Sequence, residues 1–250
     1  MDTVSAARHV WRNYVPASVR GRVNELRAAR RERAWRKPRN LGDLRRTTPF
    51  TTWGEARGGP FDRYYIEQFI QQHAADLHGR VLEIAGDEYI RKFGADVRQA
   101  DILDIREDNP QATFVADIAD APNIPDHTFD CVLVTQTLLL VYDARAALRT
   151  AHRILLPGGV MLATTPGICR ITPIESKTFG DWWRLTSMSA KRLTEEEFGA
   201  GNVEVQTYGN VLAAAGFLFG LGLNDLTPEE LAVHDPAFEV TIGIRAVKRD

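Results

Sequence analysis

Between residues 81 and 164 the chain repeats one pattern: a run of four or five residues that includes apolar or β-branched ones, then a longer polar or helical stretch. The runs fall at 81–85, 97–100, 113–116, 131–135 and 160–164. Runs such as Cys131-Val132-Leu133-Val134 are apolar without alternation, whereas a strand with one wet face alternates, so these are expected to be strands covered on both faces. Helical stretches such as 144–155 lie between them, which is the grammar of an α/β parallel sheet with helices on both faces. Two further strands are expected at 203–208 and 239–247. Between them Thr227-Pro228-Glu229-Glu230 is a capping box with proline at the first helical position, so a short helix starts there.

The rest of the chain sets limits on that core. With 250 residues, 44% hydrophobic and 26% charged, one or two globular domains are expected and a disordered chain or a fibre is excluded. The longest apolar candidate, 211–223, is too short for a membrane span and carries Gly216, Gly220 and Gly222, so a soluble protein is expected, without a membrane partner. No apolar stretch follows Arg8 and Arg12, no secretory signal is visible, and the cytoplasm is the expected compartment. Cys131 and Cys169 are too few for a disulfide framework and are expected to be reduced. Charge is divided unevenly: residues 1–46 hold 13 Arg and Lys against 4 Asp and Glu, and the remainder holds 18 against 29. We therefore divide the chain into a basic N-terminal arm, 1–47, and a domain, 48–250. Val19, Val23 and Leu26 stand at helical spacing in the arm. The arm fits either nucleic acid, by displacing counterions from phosphates, or packing on the acidic remainder or a second subunit in a homodimer. Trp11, Tyr14 and Trp35 favour packing, and nucleic acid is the less expected partner.

Ligands of an open α/β sheet bind beyond the carboxyl ends of its strands, near the reversal of strand order. After the first strand comes Glu83-Ile84-Ala85-Gly86-Asp87, where Gly86 lets backbone approach a ligand. The full G-x-G-x-x-G turn for a pyrophosphate is missing, which argues against a nicotinamide enzyme. Asp101, taken as the end of the second strand, suits two ribose hydroxyls. Asp117-Ile118, ending the third, suits an adenine by its amine and by apolar contact. Together they point to a nucleoside ligand.

The order E-x-x-G, acid, D-I, F-D-x-V-x-x-T-Q and L-P-G-G over about residues 80–166 resembles class I S-adenosylmethionine-dependent methyltransferases. The resemblance implies a Rossmann-like seven-stranded sheet whose last strand is antiparallel. It also implies S-adenosyl-L-methionine as cofactor, held at Gly86, Asp101, Asp117, Ile118 and Gln136. The reduced first loop, Ala85-Gly86-Asp87, departs from the family's glycine-rich pattern. The segments Arg57–Glu67 and Gly180–Thr186, with Gly209-Asn210-Val211-Leu212, resemble bacterial methyltransferases of sugar and polysaccharide assembly, among them mycobacterial enzymes that O-methylate mannose oligosaccharides. That likeness implies a small saccharide acceptor.

A sugar hydroxyl is neutral at pH 7, so transfer to it benefits from a base within about 2.6–3.2 Å. Asp181 and Asp62 are the candidates, because both lie in segments expected to overhang the fifth or first strand. Tyr64, Tyr65, Trp182 and Trp183 offer flat faces for a sugar, and Arg184 stands beside them. The ordinary alternatives are that Asp62 caps its helix, the tyrosines are core and Asp181 pairs with Arg184. Residues 167–201 are read as an inserted lid. No histidine pair has metal-ligand spacing and no nucleophile elbow is present, so no metal is expected. Two rival functions are an RNA methyltransferase docking through the arm and a non-catalytic binding module.

Overall fold

The computed structural model describes residues 44–52 and 54–249, together with Val19, Arg22, Val23 and Leu26, which are helical. The chain divides into two compact units, Met1–Thr47 and Thr48–Asp250. The expectations for the basic arm, including Trp11, Tyr14 and Trp35, lie largely outside the described residues. All that follows concerns the second unit.

Seven strands form one sheet: β1 (His78–Ile84), β2 (Asp96–Asp104), β3 (Phe114–Val115), β4 (Phe129–Thr135), β5 (Leu155–Pro166), β6 (Val203–Tyr208) and β7 (Thr241–Val247). Their order is β3-β2-β1-β4-β5-β7-β6. Strands β1 to β5 are parallel; β7 runs antiparallel to both β5 and β6. This is a Rossmann-like seven-stranded sheet with its last strand antiparallel. Seven helices complete the unit: α1 (Phe61–Gln72), α2 (Glu88–Phe93), α3 (Ala144–Ile154), α4 (Glu175–Thr178), α5 (Ser187–Phe198), α6 (Val211–Leu218) and α7 (Pro228–Ala232), counted among the described residues and leaving out 3-10 turns.

The non-alternating runs have a direct cause. Along β4, Val132 and Val134 belong to a core with Leu148 and Ala151 of α3 and Ala190 of α5. Cys131 and Leu133 belong to the opposite core, with Ile66, Phe69 and Ile70 of α1 and Ile90 of α2. Every side chain of such a strand is covered, so every position is apolar. Close packing is strict where α1 crosses β7: a Cβ on Gly243 would lie 2.4 Å from the Phe69 ring. Asp143 caps α3 by accepting from the Ala146 amide at 2.9 Å. Thr227 and Glu230 exchange capping bonds at the start of α7.

Two boundaries differ from the sequence reading. β2 continues past Asp101 to Asp104. Asp101 is 1% exposed inside the strand, where it accepts from Arg80 Nε at 2.7 Å and Gln99 Nε2 at 3.1 Å. A neighbouring strand thus supplies the cation that makes a buried acid tolerable, and the apolar pair Ile102-Leu103 carries the strand on. The segment 167–201 also splits. Its second half is α5, whose Ala190 and Phe198 are core, and only the first half overhangs the strand ends. No helix among the described residues is long and apolar enough to cross a membrane.

Candidate functional site

Strand order reverses at β1, which has β2 on one side and β4 on the other, so the crevice opens beyond the C-terminal ends of β1 and β4. There the backbone turns sharply at non-glycine residues: Ala85 has φ 66° and Gln136 φ 47°. Left-handed backbone costs a residue with a Cβ on the order of 1 kcal/mol, and such strain concentrates at functional sites. The sheet sustains both turns. The Ala85 amide donates to Leu103 O and that of Gln136 to Thr164 O, each at 2.8 Å. Ala85, rather than Gly86, takes the left-handed turn. Gly86 sits next to it with nothing within 4 Å of where a Cβ would be.

A cavity of about 720 Å³ occupies this crevice, within the size range of ligand sites. Ile84, Leu103 and Ile118 give it apolar walls; Asp104, Asp117 and Gln136 add polar groups. Asp104, not Asp101, ends β2 and lines the cavity. Its carboxylate accepts from the Arg106 amide at 2.9 Å, from Arg106 Nη2 at 2.8 Å and from Asn109 Nδ2 at 2.7 Å. Burial pushes the Asp104 pKa up, but these donors outweigh it and hold the group below the ordinary carboxylate value. Asp117 accepts from the Ala119 amide at 2.8 Å. Beneath the first loop, buried Glu83 accepts from the amides of Tyr89 and Ile90 at 3.2 and 2.9 Å, pinning the start of α2. Burial lifts its pKa to about 7 against those two bonds.

A second pocket of about 230 Å³ adjoins the first. Gln136, Leu140 and Glu175 line both. Asp62 and Glu55 complete its acidic lining, and no Lys or Arg lines it. Asp62 is the second residue of α1 and does not cap it; its carboxylate accepts from the adjacent Arg63 amide at 2.8 Å. Burial drives its pKa to about 6, with Glu55 adding a little repulsion and the Arg63 amide and charge opposing.

Asp181 sits differently. It lines neither cavity and is buried, accepting from the Thr172 amide at 2.8 Å and from Arg184 through both terminal nitrogens. Burial raises its pKa, yet the Arg184 and Thr172 bonds bring it below the ordinary value. Arg184 also donates to Arg170 O at 2.8 Å, so the pair ties the segment 170–184 together. Tyr65 is core: 1% exposed, stacked on Tyr208, its hydroxyl donating to Leu231 O at 3.0 Å. Tyr64 packs partly buried on the same cluster, and neither tyrosine lines a cavity. Trp182 lines the large cavity and is 51% exposed. Trp183 stacks on Tyr142 just outside it, with Nε1 donating to Val141 O at 3.1 Å. Sequence reasoning missed Asp104, Glu55 and Glu175. For Asp104 the signal was present: it is the acid that follows the last apolar pair of the strand, Ile102-Leu103.

Residues 60–163 match the family model described as a methyltransferase domain. Among solved structures, a SAM dependent methyltransferase from Archaeoglobus fulgidus is 14% identical, with 74% of this chain and 94% of that one covered and a TM-score of 0.49. The CMeT domain of the citrinin polyketide synthase is 15% identical, with 77% and 54% covered and a TM-score of 0.50. At these identities the likeness concerns the fold. A comparison with curated proteins finds no match. The large cavity fits the cofactor this family uses: apolar walls suit a nucleobase, the strand-end carboxylate suits ribose hydroxyls, and the buried Gln136 Nε2 has no hydrogen-bond partner from the protein. The match over residues 60–163 and the lining of the cavity together support S-adenosylmethionine as the cofactor.

Proposed function

We propose that the protein is a cytoplasmic O-methyltransferase of bacterial saccharide assembly, transferring a methyl group to a hydroxyl of a small neutral sugar held in the 230 Å³ pocket. The observation that carries this reading is Asp62. It is a carboxyl with a pKa near 6, in a pocket whose wall at Gln136, Leu140 and Glu175 is shared with the cofactor cavity.

S-adenosylmethionine supplies an activated methyl group, so the protein's tasks are alignment, exclusion of water and removal of one proton. Asp104, oriented by Arg106 and Asn109, takes the ribose hydroxyls. Asp117 and Ile118 face the base, and Gln136 Nε2 donates to the ligand at the junction. At neutral pH Asp62 is mostly ionised yet poorly solvated, which suits a general base near its working pH. It accepts the acceptor's hydroxyl proton as the new C–O bond forms and the C–S bond breaks, then releases it to water. The carboxylate of Glu55 accepts hydrogen bonds from further hydroxyls, and Trp182 shields the cavity mouth. Asp181 and Arg184 act as positioning residues that hold the lid. The acidic lining disfavours a phosphate-bearing acceptor, which weighs against RNA at this pocket.

The test is transfer from isotopically labelled S-adenosylmethionine to a panel of neutral mono- and disaccharides, sugar phosphates and RNA. Methylation of a neutral sugar oxygen is expected. Transfer confined to RNA or to phosphorylated acceptors would overturn the assignment.

A further inference from the structure

The two cavities meet at three residues, Gln136, Leu140 and Glu175, and a methyl group moving from the larger cavity to the smaller passes between them. Glu175 is the carboxylate common to both linings. Among the described residues its carboxylate takes part in no ion pair or hydrogen bond, in contrast to Asp104, which is held by Arg106 and Asn109. The small pocket offers it no cation, and Arg106, the basic residue of the large one, is engaged by Asp104. A partly buried anion is thus left without a partner on the wall that the two cavities share.

We propose that Glu175 is the residue that distinguishes cofactor from product by charge: its carboxylate favours the cationic sulfonium of S-adenosylmethionine over the neutral thioether of S-adenosylhomocysteine. This rests on the cofactor placement of the preceding section. Both ligands carry the same nucleoside and the same amino-acid end, so every other contact on this protein is shared. They differ in the methyl group and in the positive charge on sulfur, and a carboxylate near the sulfur senses the charge. The physical cause is Coulombic attraction at a few ångströms in a partly dry site, and it disappears when the methyl group leaves. The consequence is a preference for loading substrate and for letting product go. Because the positive charge is already fading in the transition state, the attraction favours the loaded ground state, and its loss raises KM without lowering kcat.

The experiment is calorimetric titration of the full chain and of Glu175→Gln with S-adenosylmethionine and, separately, S-adenosylhomocysteine, at one salt concentration. The Glu175→Gln variant is expected to bind S-adenosylmethionine roughly 5- to 30-fold more weakly, the worth of one partly screened charge pair, and S-adenosylhomocysteine within about two-fold of the parent. Glu175→Asp, which keeps the charge, should recover most of the preference. Equal weakening of both ligands would overturn the proposal and make Glu175 part of the lid's framework or a partner of the shared ammonium group. Unchanged binding of both would overturn it as well. If the parent chain bound neither ligand, the cofactor placement itself would fall and take this proposal with it, an outcome distinct from an altered ratio.

Discussion

Arg184 Nη2 donates to Asp181 Oδ2 at 3.0 Å while the Thr172 amide donates to the same oxygen at 2.8 Å. One buried carboxylate therefore closes a loop of the lid from both of its ends. Such a group is poor at taking a proton, because its lone pairs are committed and its pKa is depressed. Asp62 has the opposite character, with a single local hydrogen bond and a pKa near 6.

Asp181→Asn is accordingly expected to act on the lid. Replacing the charged partner of Arg184 should cost about 2 kcal/mol of stability, the order of a hydrogen-bonded charged contact. Denaturant unfolding measures this, and KM for the acceptor should rise with it. A pH profile identical in shape to the parent's is the accompanying sign that no catalytic proton was lost.

Asp62→Asn should lower kcat by roughly 10² to 10⁴, the usual worth of a positioned base, with S-adenosylhomocysteine affinity nearly unchanged. In the parent, kcat/KM should climb with pH and level off above about 6, where Asp62 ionises. Steady-state assays between pH 5 and about 8 check both. A variant that keeps the parental rate excludes Asp62 as the base.

The same residue predicts a stability effect of definite sign. Its folded pKa is raised from 3.8 to about 6, so across that window the folded state keeps a proton that the unfolded chain has released, and the group's contribution falls as pH rises. Asp62→Asn removes the penalty. Well above pH 6 it should be more stable than the parent by about 3 kcal/mol, from roughly 1.4 kcal/mol for each tenfold change in proton affinity. It should lose that advantage below the unfolded value of 3.8. Thermal melts at the two ends of the range give the answer.

Asp101 and Asp104 of β2 should separate cleanly. Asp104→Ala is expected to weaken S-adenosylhomocysteine binding by about 1 to 3 kcal/mol, the cost of unpaired ribose hydroxyls. Asp101→Ala strands the Arg80 side chain and should lower the melting temperature while leaving affinity near the parent's. The reverse pattern would return the ribose role to Asp101.

The sheet was legible in the sequence because burial on both faces removes alternation, and Cys131 to Val134 records that covering in four consecutive residues. Local chemistry was equally plain at Thr227 and Glu230, whose capping bonds span three residues. The functional side chains were legible only as candidates. Asp62, Asp101, Asp104 and Asp181 are one residue type, and what separates them is supplied from far along the chain. Asp101 is paired by Arg80 from β1, and Asp104 stands at a strand end set by its register with β1, Leu103 beside Ile84. Asp181 is enclosed with Arg184 and Thr172. Asp62 is desolvated in a pocket whose other walls are Gln136, Pro166 and Phe217. Helix and strand patterns arise from neighbours a few positions apart, so a single sequence writes them down. Protonation and access depend on which distant groups are brought within hydrogen-bonding distance, and folding alone decides that.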